Sequence, residues 1–325
     1  MKNLYQLIKI CRTQTENDEY SNITGIQDSE FESYLNDAQR NIQAAIVKQH
    51  PKVFITEKVI SVQAGVEKYN IPSDCFLGNK IFNVEYSPTG NLDDYYVINE
   101  DIMKYRSSGV DGSPTRYIRV SGKILLSPVP AESGKLRINY VRALPDLRFP
   151  LGYVESISQN SFDINGVTGT YSTINFSSQN LDKSVTISDI KYDRVYSICN
   201  GLGEVVKTDI FRKDRTISFH PSNLNVEPTG SSIKTESFTS ETNLEGHYLM
   251  PGANSTYIPN IDPSIERYLI SYCNWKILKR DSSVDSSEAI QELQLMTDEI
   301  VSSYANISDD IQLIPQLNAW DDWSV

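Results

Sequence analysis

The period of the apolar residues changes twice along this chain, and that change constrains the fold more than any other feature. Near both ends apolar residues recur every three or four positions, as on one face of a helix; from Val53 to about residue 250 they alternate with polar ones, as on a half-buried strand. "DSEFESYLNDAQRNIQAAIVKQHP" puts Phe31, Leu35, Ala38, Ile42, Ala45 and Ile46 on one stripe, offers Ser29-x-x-Glu32 as a capping box and stops at Pro51. A shorter amphipathic helix is predicted at the start, where Leu4, Leu7, Ile8 and Cys11 share a face. Helix returns at Pro263, whose missing N–H suits a first helical turn. Ile265, Tyr268, Leu269, Ile270, Tyr272, Trp275, Ile277 and Leu278 then surround most of its circumference, so it should be buried. A last helix has Asp285 and Glu288 as its cap and Ala289, Leu293, Met296, Ile300 and Tyr304 on one stripe.

The fold class expected is α+β. The N- and C-terminal helices (1–52 plus 261–306) should form one helical bundle, with Phe31, Leu35, Ile42, Ile46, Leu269, Tyr272, Leu293, Met296 and Ile300 in its core. Between them, 53–150 should make an antiparallel sheet or small barrel, with a turn at Ala64 to Gly65. Within it, "RYIRVSGKILLSPVP" and "KLRINYVRAL" read as a hairpin of two alternating strands with a polar link. Residues 151–250 keep strand alternation, as at Val185, Ile187, Ile217 and Phe219, but turn rich in Ser, Asn, Thr and Asp, and are expected to be an inserted β module. The Pro/Gly-rich 251–260 reads as its exit linker and 307–325 as a separate arm.

With 325 residues, 39% of them apolar, the chain can bury a sizeable core, as one large or two modest domains. A formal charge of -12 argues against general binding of phosphate backbones, which is built from Lys and Arg. Cys11, Cys75, Cys199 and Cys273 are widely spaced, with no CxxC and no His at ligand spacing, so reduced thiols are expected rather than zinc or a disulfide framework. The start lacks a continuous apolar core and a cleavage site, and nothing approaches the roughly 20 apolar residues of a membrane span. His50, His220 and His247 sit in or near turns and outside any catalytic signature. "NGVTGT" and "CNGLGEVV" lack dinucleotide-site spacing and read as hairpin turns, and the adjacent pairs Asp93-Asp94 and Asp309-Asp310 as solvated charges. No catalysis, cofactor or metal is expected, although sequence leaves open a glycosidase built from dispersed carboxylates.

Two stretches stand apart. Between Lys104 and Arg148 nine bases face three acids, a local charge of +6 that leaves about -18 for the remainder. Its strand bases Arg116, Arg119, Lys123, Lys135, Arg137 and Arg142 read either as a solvated face or as a patch toward an acidic neighbour, another copy of the chain, or passing DNA. The C-terminal "NISDDIQLIPQLNAWDDWSV" has four acids and no base, yet carries Ile311, Leu313, Ile314, Leu317, Trp320 and Trp323. It either folds back on its own domain or anchors in pockets of another protein.

The order of elements, the step Y-x-I-P-x-D at Tyr69 to Asp74, and the pair G-K-I-x-L-x-P-x-P (from Gly122) and L-x-I-x-Y (from Leu136) resemble the head-to-tail adaptor proteins of short-tailed bacteriophages. These are also called head-completion or tail tubular A proteins, with equivalents in crAss-like phages. The resemblance covers about 28–150 and 261–306. It implies a structural virion protein of the neck or tail: a homo-oligomeric ring, commonly of twelve copies, assembled in the host cytoplasm. Such a ring sits beneath the portal protein, meets the tail nozzle and extends the channel for double-stranded DNA. The helical bundle would be its body, Ile311 to Trp323 would reach into the portal, and the basic hairpin would touch neighbouring copies or tail proteins. Two other readings come from other classes. One is a tail-associated carbohydrate-binding or glycan-cleaving protein using Tyr171, Phe176 and Tyr192 of the β module; the other is a DNA-binding protein acting through the basic hairpin.

Overall fold

The computed structural model describes residues 2–15, 26–101, 111–164, 167–177, 195–211, 232–236, 244–259, 261–263, 265–280 and 287–305. The class is α+β. Internal contacts divide the chain into two units, Met1–Gln39 with Leu144–Ser286, and Arg40–Ala143 with Ser287–Val325. Four α-helices stand among the described residues: α1 (Leu4–Gln14), α2 (Asp28–Gln49), α3 (Ile265–Leu278) and α4 (Ser287–Ser303). None is long and apolar enough to cross a membrane.

The second unit is organised by β1 (Ile55–Val62), β2 (Lys68–Asn70), β3 (Ile81–Ser87), β4 (Tyr96–Glu100), β5 (Asp111–Gly112), β6 (Arg116–Val120), β7 (Lys123–Ser127), β8 (Val129–Pro130) and β9 (Gly134–Val141). Seven of these form one sheet in the order β1-β9-β3-β4-β6-β7-β2. All seven put side chains into a single core, among them Val62, Tyr69, Val84, Tyr86, Ile98, Tyr117, Ile124, Leu126, Leu136, Ile138 and Tyr140. The order ends at β1 and β2, which do not pair, so among the described residues the strands form a sheet and not a closed barrel. The two edge strands, β1 and β2, are joined through a turn in which Gly65 adopts φ 75°.

The expected hairpin is a correction. The chain reverses inside "RYIRVSGKILLS": Val120 faces Lys123, and both linking residues, Ser121 and Gly122, have positive φ, as in the tight turns that match strand twist. "KLRINYV" does not return beside that segment. As β9 it lies between β1 and β3. Nor is the sheet wholly antiparallel, because β4 runs parallel to β6, as β5 does to β8.

In the first unit, β10 (Asp146–Leu147), β11 (Gly152–Ile164), β12 (Val167–Ser177), β13 (Val195–Cys199), β14 (Val205–Phe211), β15 (Ser232–Glu236), β16 (Tyr248–Pro251) and β17 (Ser255–Thr256) follow. Six make a sheet in the order β14-β13-β16-β11-β12-β15 over a core that includes Val154, Ile174, Phe176, Tyr196, Ile198, Ile233 and Leu249. "CNGLGEVV" is the β13–β14 turn, as expected, with Cys199 facing Val205. Val185, Ile187, Ile217 and Phe219 lie outside the described residues. The stretch read as a linker is built into the fold: Met250 and Pro251 pair with β13, and Ser255 and Thr256 run parallel to β10. Ser255 and Thr256 are buried with partners inside: the Ser255 amide donates to the Ser197 hydroxyl and the Thr256 hydroxyl to the Gly203 carbonyl.

Helix α1 buries the four predicted residues, Leu4, Leu7, Ile8 and Cys11, and packs on α3. Its capping box, Asn3 with Gln6, has no Ser or Thr and escaped the sequence reading. Lys2 clamps Glu266 at 2.7 Å, the Leu4 amide donates to the Tyr257 carbonyl at 3.0 Å, and Asn274 donates to Gln14 at 2.5 Å. Cys11 and Cys273 share a hydrogen bond in the same contact, and that bond, together with burial, pushes the Cys273 thiol up. The proposed Ser29 capping box of α2 is also corrected. The helix begins two residues earlier than that cap implies, at Asp28, which pairs with Arg12 at 2.7 Å, while Glu32 pairs with Arg148 at 2.7 Å. The Asp285 cap lies outside the described residues.

Candidate functional site

The motifs that carry the family resemblance turn out to be core. Tyr69, Ile124, Leu126, Leu136, Ile138 and Tyr140 all belong to the cluster inside the seven-stranded sheet. Asp74, the acid of Y-x-I-P-x-D, accepts from the Tyr140 hydroxyl at 2.8 Å, while its carbonyl accepts from the Ala143 amide at 2.6 Å. Burial, reinforced by the hydrogen bond to Asp74, pushes the Tyr140 hydroxyl up, so it stays a neutral donor. The step thus ties the end of β9 to the loop after β2.

The nine residues assigned to a helical core are all buried. Phe31, Leu35, Leu269 and Tyr272 fall in the first unit, and Ile42, Ile46, Leu293, Met296 and Ile300 in the second. Polar residues on the same helix were missed. Buried Asn36 exchanges two hydrogen bonds with Leu147, at 3.0 and 2.7 Å, and Gln39 donates to the Pro145 carbonyl at 2.6 Å. Within the second unit Gln43 donates to the Arg142 carbonyl at 2.7 Å. Their spacing, 36, 39 and 43, is itself a helical stripe beside the apolar one, the signal that could have revealed them.

The basic strands do not present free cations in the way the local charge suggests. Arg119 grips Glu100 with two nitrogens at 2.6 and 2.8 Å and donates to the Asn79 carbonyl at 2.6 Å. The Glu100 hydrogen bond raises its already high pKa further. Arg116 meets Asp101 at 3.4 Å and is the more exposed of the two. Arg137 lies against the Tyr95 ring at 3.8 Å, with Glu85 at 3.1 Å and Glu57 at 3.7 Å. Glu85 also accepts from Asn83 at 3.2 Å. The Lys135 stem runs close under Gly90, which has φ 79°, and Lys123 is exposed at the β6–β7 turn. Lys104 and Arg106 lie outside the described residues. The acids that neutralise this patch, Glu57, Glu85, Glu100 and Asp101, precede it in sequence, so counting charge from Lys104 onward hid them. Glu85 could have been found: in "FNVEY" it and Asn83 alternate with buried Val84 and Tyr86, which puts them on the same face as Arg137.

Ile311, Leu313, Ile314, Leu317, Trp320 and Trp323 lie outside the described residues, as do His220 and Tyr192. The glycan reading loses an aromatic: Phe176 is buried in the core of the six-stranded sheet, and Tyr171 is half-buried. All four cysteines are buried thiols. Among the described residues no group of His, Cys, Asp or Glu could hold a metal ion.

Residues 2–157 match the family model described as SU10 adaptor protein, a phage head-to-tail adaptor family. The match covers just under half of the chain, takes in α1, α2 and the whole seven-stranded sheet, and bears out the resemblance read from the residues. No curated protein matches the chain.

Proposed function

We propose, with the kinship to SU10 adaptor proteins as premise, that this chain is a structural protein of a phage virion, joining head to tail without catalysis or cofactor. It works as a ring of copies, twelve as in the proteins it resembles, between the portal and the tail, with double-stranded DNA passing through. The helices from both chain ends make the ring body, and the ring assembles in the host cytoplasm. The single observation that carries the reading is the family match, whose range contains a complete folded element, the seven-stranded sheet. A net charge of -12 supports it further, because a mostly anionic lining lets DNA slide where a basic one would hold it.

In this reading residues 307–325 dock on the portal, with Ile311, Leu313, Ile314, Leu317, Trp320 and Trp323 as apolar anchors. Contact with tail proteins falls to Arg116 and Lys123, which are exposed, rather than to Arg119 and Arg137, which are already engaged. The test mixes the purified chain with its portal protein and reads native mass and negative-stain images. Discrete rings seated on the portal are expected for the full chain, and loss of seating for a chain ending at residue 306. A chain that stays unbound beside the portal would sink the adaptor reading; a truncated chain that seats normally would sink the role of the arm alone.

A further inference from the structure

Helices α1 and α3 run side by side in the same direction, and two ties fix their relative height. Lys2, just ahead of α1, pairs with Glu266 in the first turn of α3, and Gln14 at the end of α1 accepts from Asn274. Each helix carries a buried stripe, Leu4, Leu7, Ile8 and Cys11 on α1 and Ile265, Leu269 and Cys273 on α3. Cys11 stands one turn before Gln14 and Cys273 beside Asn274, so the two thiols fall at nearly the same height. Both are fully buried, and they share a hydrogen bond. The other two cysteines are engaged elsewhere. Cys199 is bound to the Tyr257 backbone and the Thr256 side chain, and Cys75, in the second unit, donates to the Phe76 carbonyl at 3.9 Å.

We propose that Cys11 and Cys273 form a site of reversible oxidation, two thiols in a reducing compartment and one disulfide after exchange with a small-molecule disulfide such as oxidised glutathione. The sulfurs need only close from hydrogen-bonding distance to the roughly 2.05 Å of the bond. Helix packing already holds them in contact, so their effective concentration for each other far exceeds that of a thiol in solution. Burial pushes the Cys273 thiol up, as does its bond to Cys11, so it keeps its proton and Cys11 opens the exchange. The Cys11 thiolate attacks one glutathione sulfur, breaking the glutathione disulfide and releasing the first glutathione thiolate. The Cys273 sulfur then attacks the Cys11 sulfur of the mixed disulfide and releases the second. The two cysteine protons pass to the two glutathiones, and two electrons leave the protein. Because both thiols are covered, the oxidant reaches them only when α1 lifts from α3, an opening resisted by the Lys2–Glu266 and Gln14–Asn274 ties. The bond fastens α1, inside the matched range 2–157, to α3 beyond it. When it forms rests on the adaptor reading: thiols during assembly in the reducing cytosol, the disulfide once the particle is outside the cell. The pair itself does not depend on that reading.

The test incubates the full chain, purified in reductant, with oxidised glutathione, then blocks free thiols in denaturant and maps peptides by mass spectrometry without reduction. The peptide linking Cys11 to Cys273 should exceed every other cysteine pairing at least tenfold. Oxidation should raise the melting temperature by roughly 5 °C, a gain that reductant reverses and that Cys11→Ser and Cys273→Ser each abolish. Glu266→Gln, which loosens one tie on α1, should form the bond several-fold faster. Four thiols that stay free, a glutathione adduct on Cys11 that never resolves, or linkage scattered among all four cysteines would each overturn the proposal. An unchanged rate in Glu266→Gln would overturn the lifting of α1 as the route. The parent readouts need neither a variant nor a portal. A chain that forms the bond yet never seats on the portal supports the pair and loses only the adaptor reading, whereas one that seats but never links loses only the pair.

Discussion

In the seven-stranded sheet charged groups stay outside the core and pair, Arg119 with Glu100 and Arg137 with Glu85, and Ser87 is the buried serine of its strands; in the six-stranded sheet Ser172, Ser197 and Thr235 all go inside. There Ser172 faces Thr235 across β12 and β15, and Ser197 accepts from the Ser255 amide at 3.0 Å while donating to its carbonyl at 3.3 Å. Thr256 donates to the Gly203 carbonyl at 3.0 Å. The difference shows that one strand alternation can be stabilised in two ways. Exposed ion pairs are cheap to lose, because water resolvates each partner, whereas a buried hydroxyl that disappears leaves its partner amide without water.

Predictions that strain this comparison run from large to small. Apolar core deletions should not distinguish the sheets: Leu136→Ala in β9 and Ile198→Ala in β13, both fully buried, should each cost about 3 kcal/mol in urea unfolding. A much smaller loss at Ile198 would show the polar sheet to be loosely packed. Next come the glycines under crossing backbone. A Cβ at Gly134 would lie 2.5 Å from the Ser87 carbonyl, and one at Gly203, which has φ 88°, would run into the Ile258 carbonyl. Alanine at either should cost about 2 kcal/mol, seen as a lower urea midpoint.

The hydroxyl and the ion pair then separate the two sheets. Ser197→Ala should cost about 1.5 kcal/mol by orphaning the Ser255 amide, whereas Glu100→Gln should cost about 0.5 kcal/mol, given that both partners are about a third exposed. Equal losses from the two would break the comparison. Smallest is a pH effect at the α1–α3 contact. Burial alone would raise Glu266, but the Lys2 side chain and amide outweigh it and hold the carboxyl below its usual range. A lowered folded pKa gives stability that is present above the ordinary value, about 4.3, and lost as pH falls through the lowered one. Melting curves of the parent and of Glu266→Gln should therefore differ at neutral pH and converge on acidification. An undiminished difference at pH 3 would mean that the lysine clamp is not its source.

Much of this fold was legible because period follows burial. Leu4, Leu7, Ile8 and Cys11 predicted the buried face of α1, and the alternation in "KLRINYV" predicted which residues of β9 face the core. Partner choice was not legible. "KLRINYV" alternates equally well beside β7 or between β1 and β3, since alternation names a face and not a neighbour. What decided it was the Ser121-Gly122 turn, which spends β7's near side on β6. The site was read least well, for a related reason. A cluster of bases in sequence says nothing of the acids that register brings opposite, and Glu85 and Glu100 come from strands outside it.

That same turn has a consequence in time. A two-residue link fixes the register of β6 and β7 with almost no chain to gather, while Ile55 cannot find Val141 until everything between them has been drawn in. Assembly of the sheet is therefore expected to start from this reversal and to finish at the β1 margin. Pulse-labelled hydrogen exchange should find the amides of β7 protected before those of β1, and the opposite order would mean that the distant pairing leads.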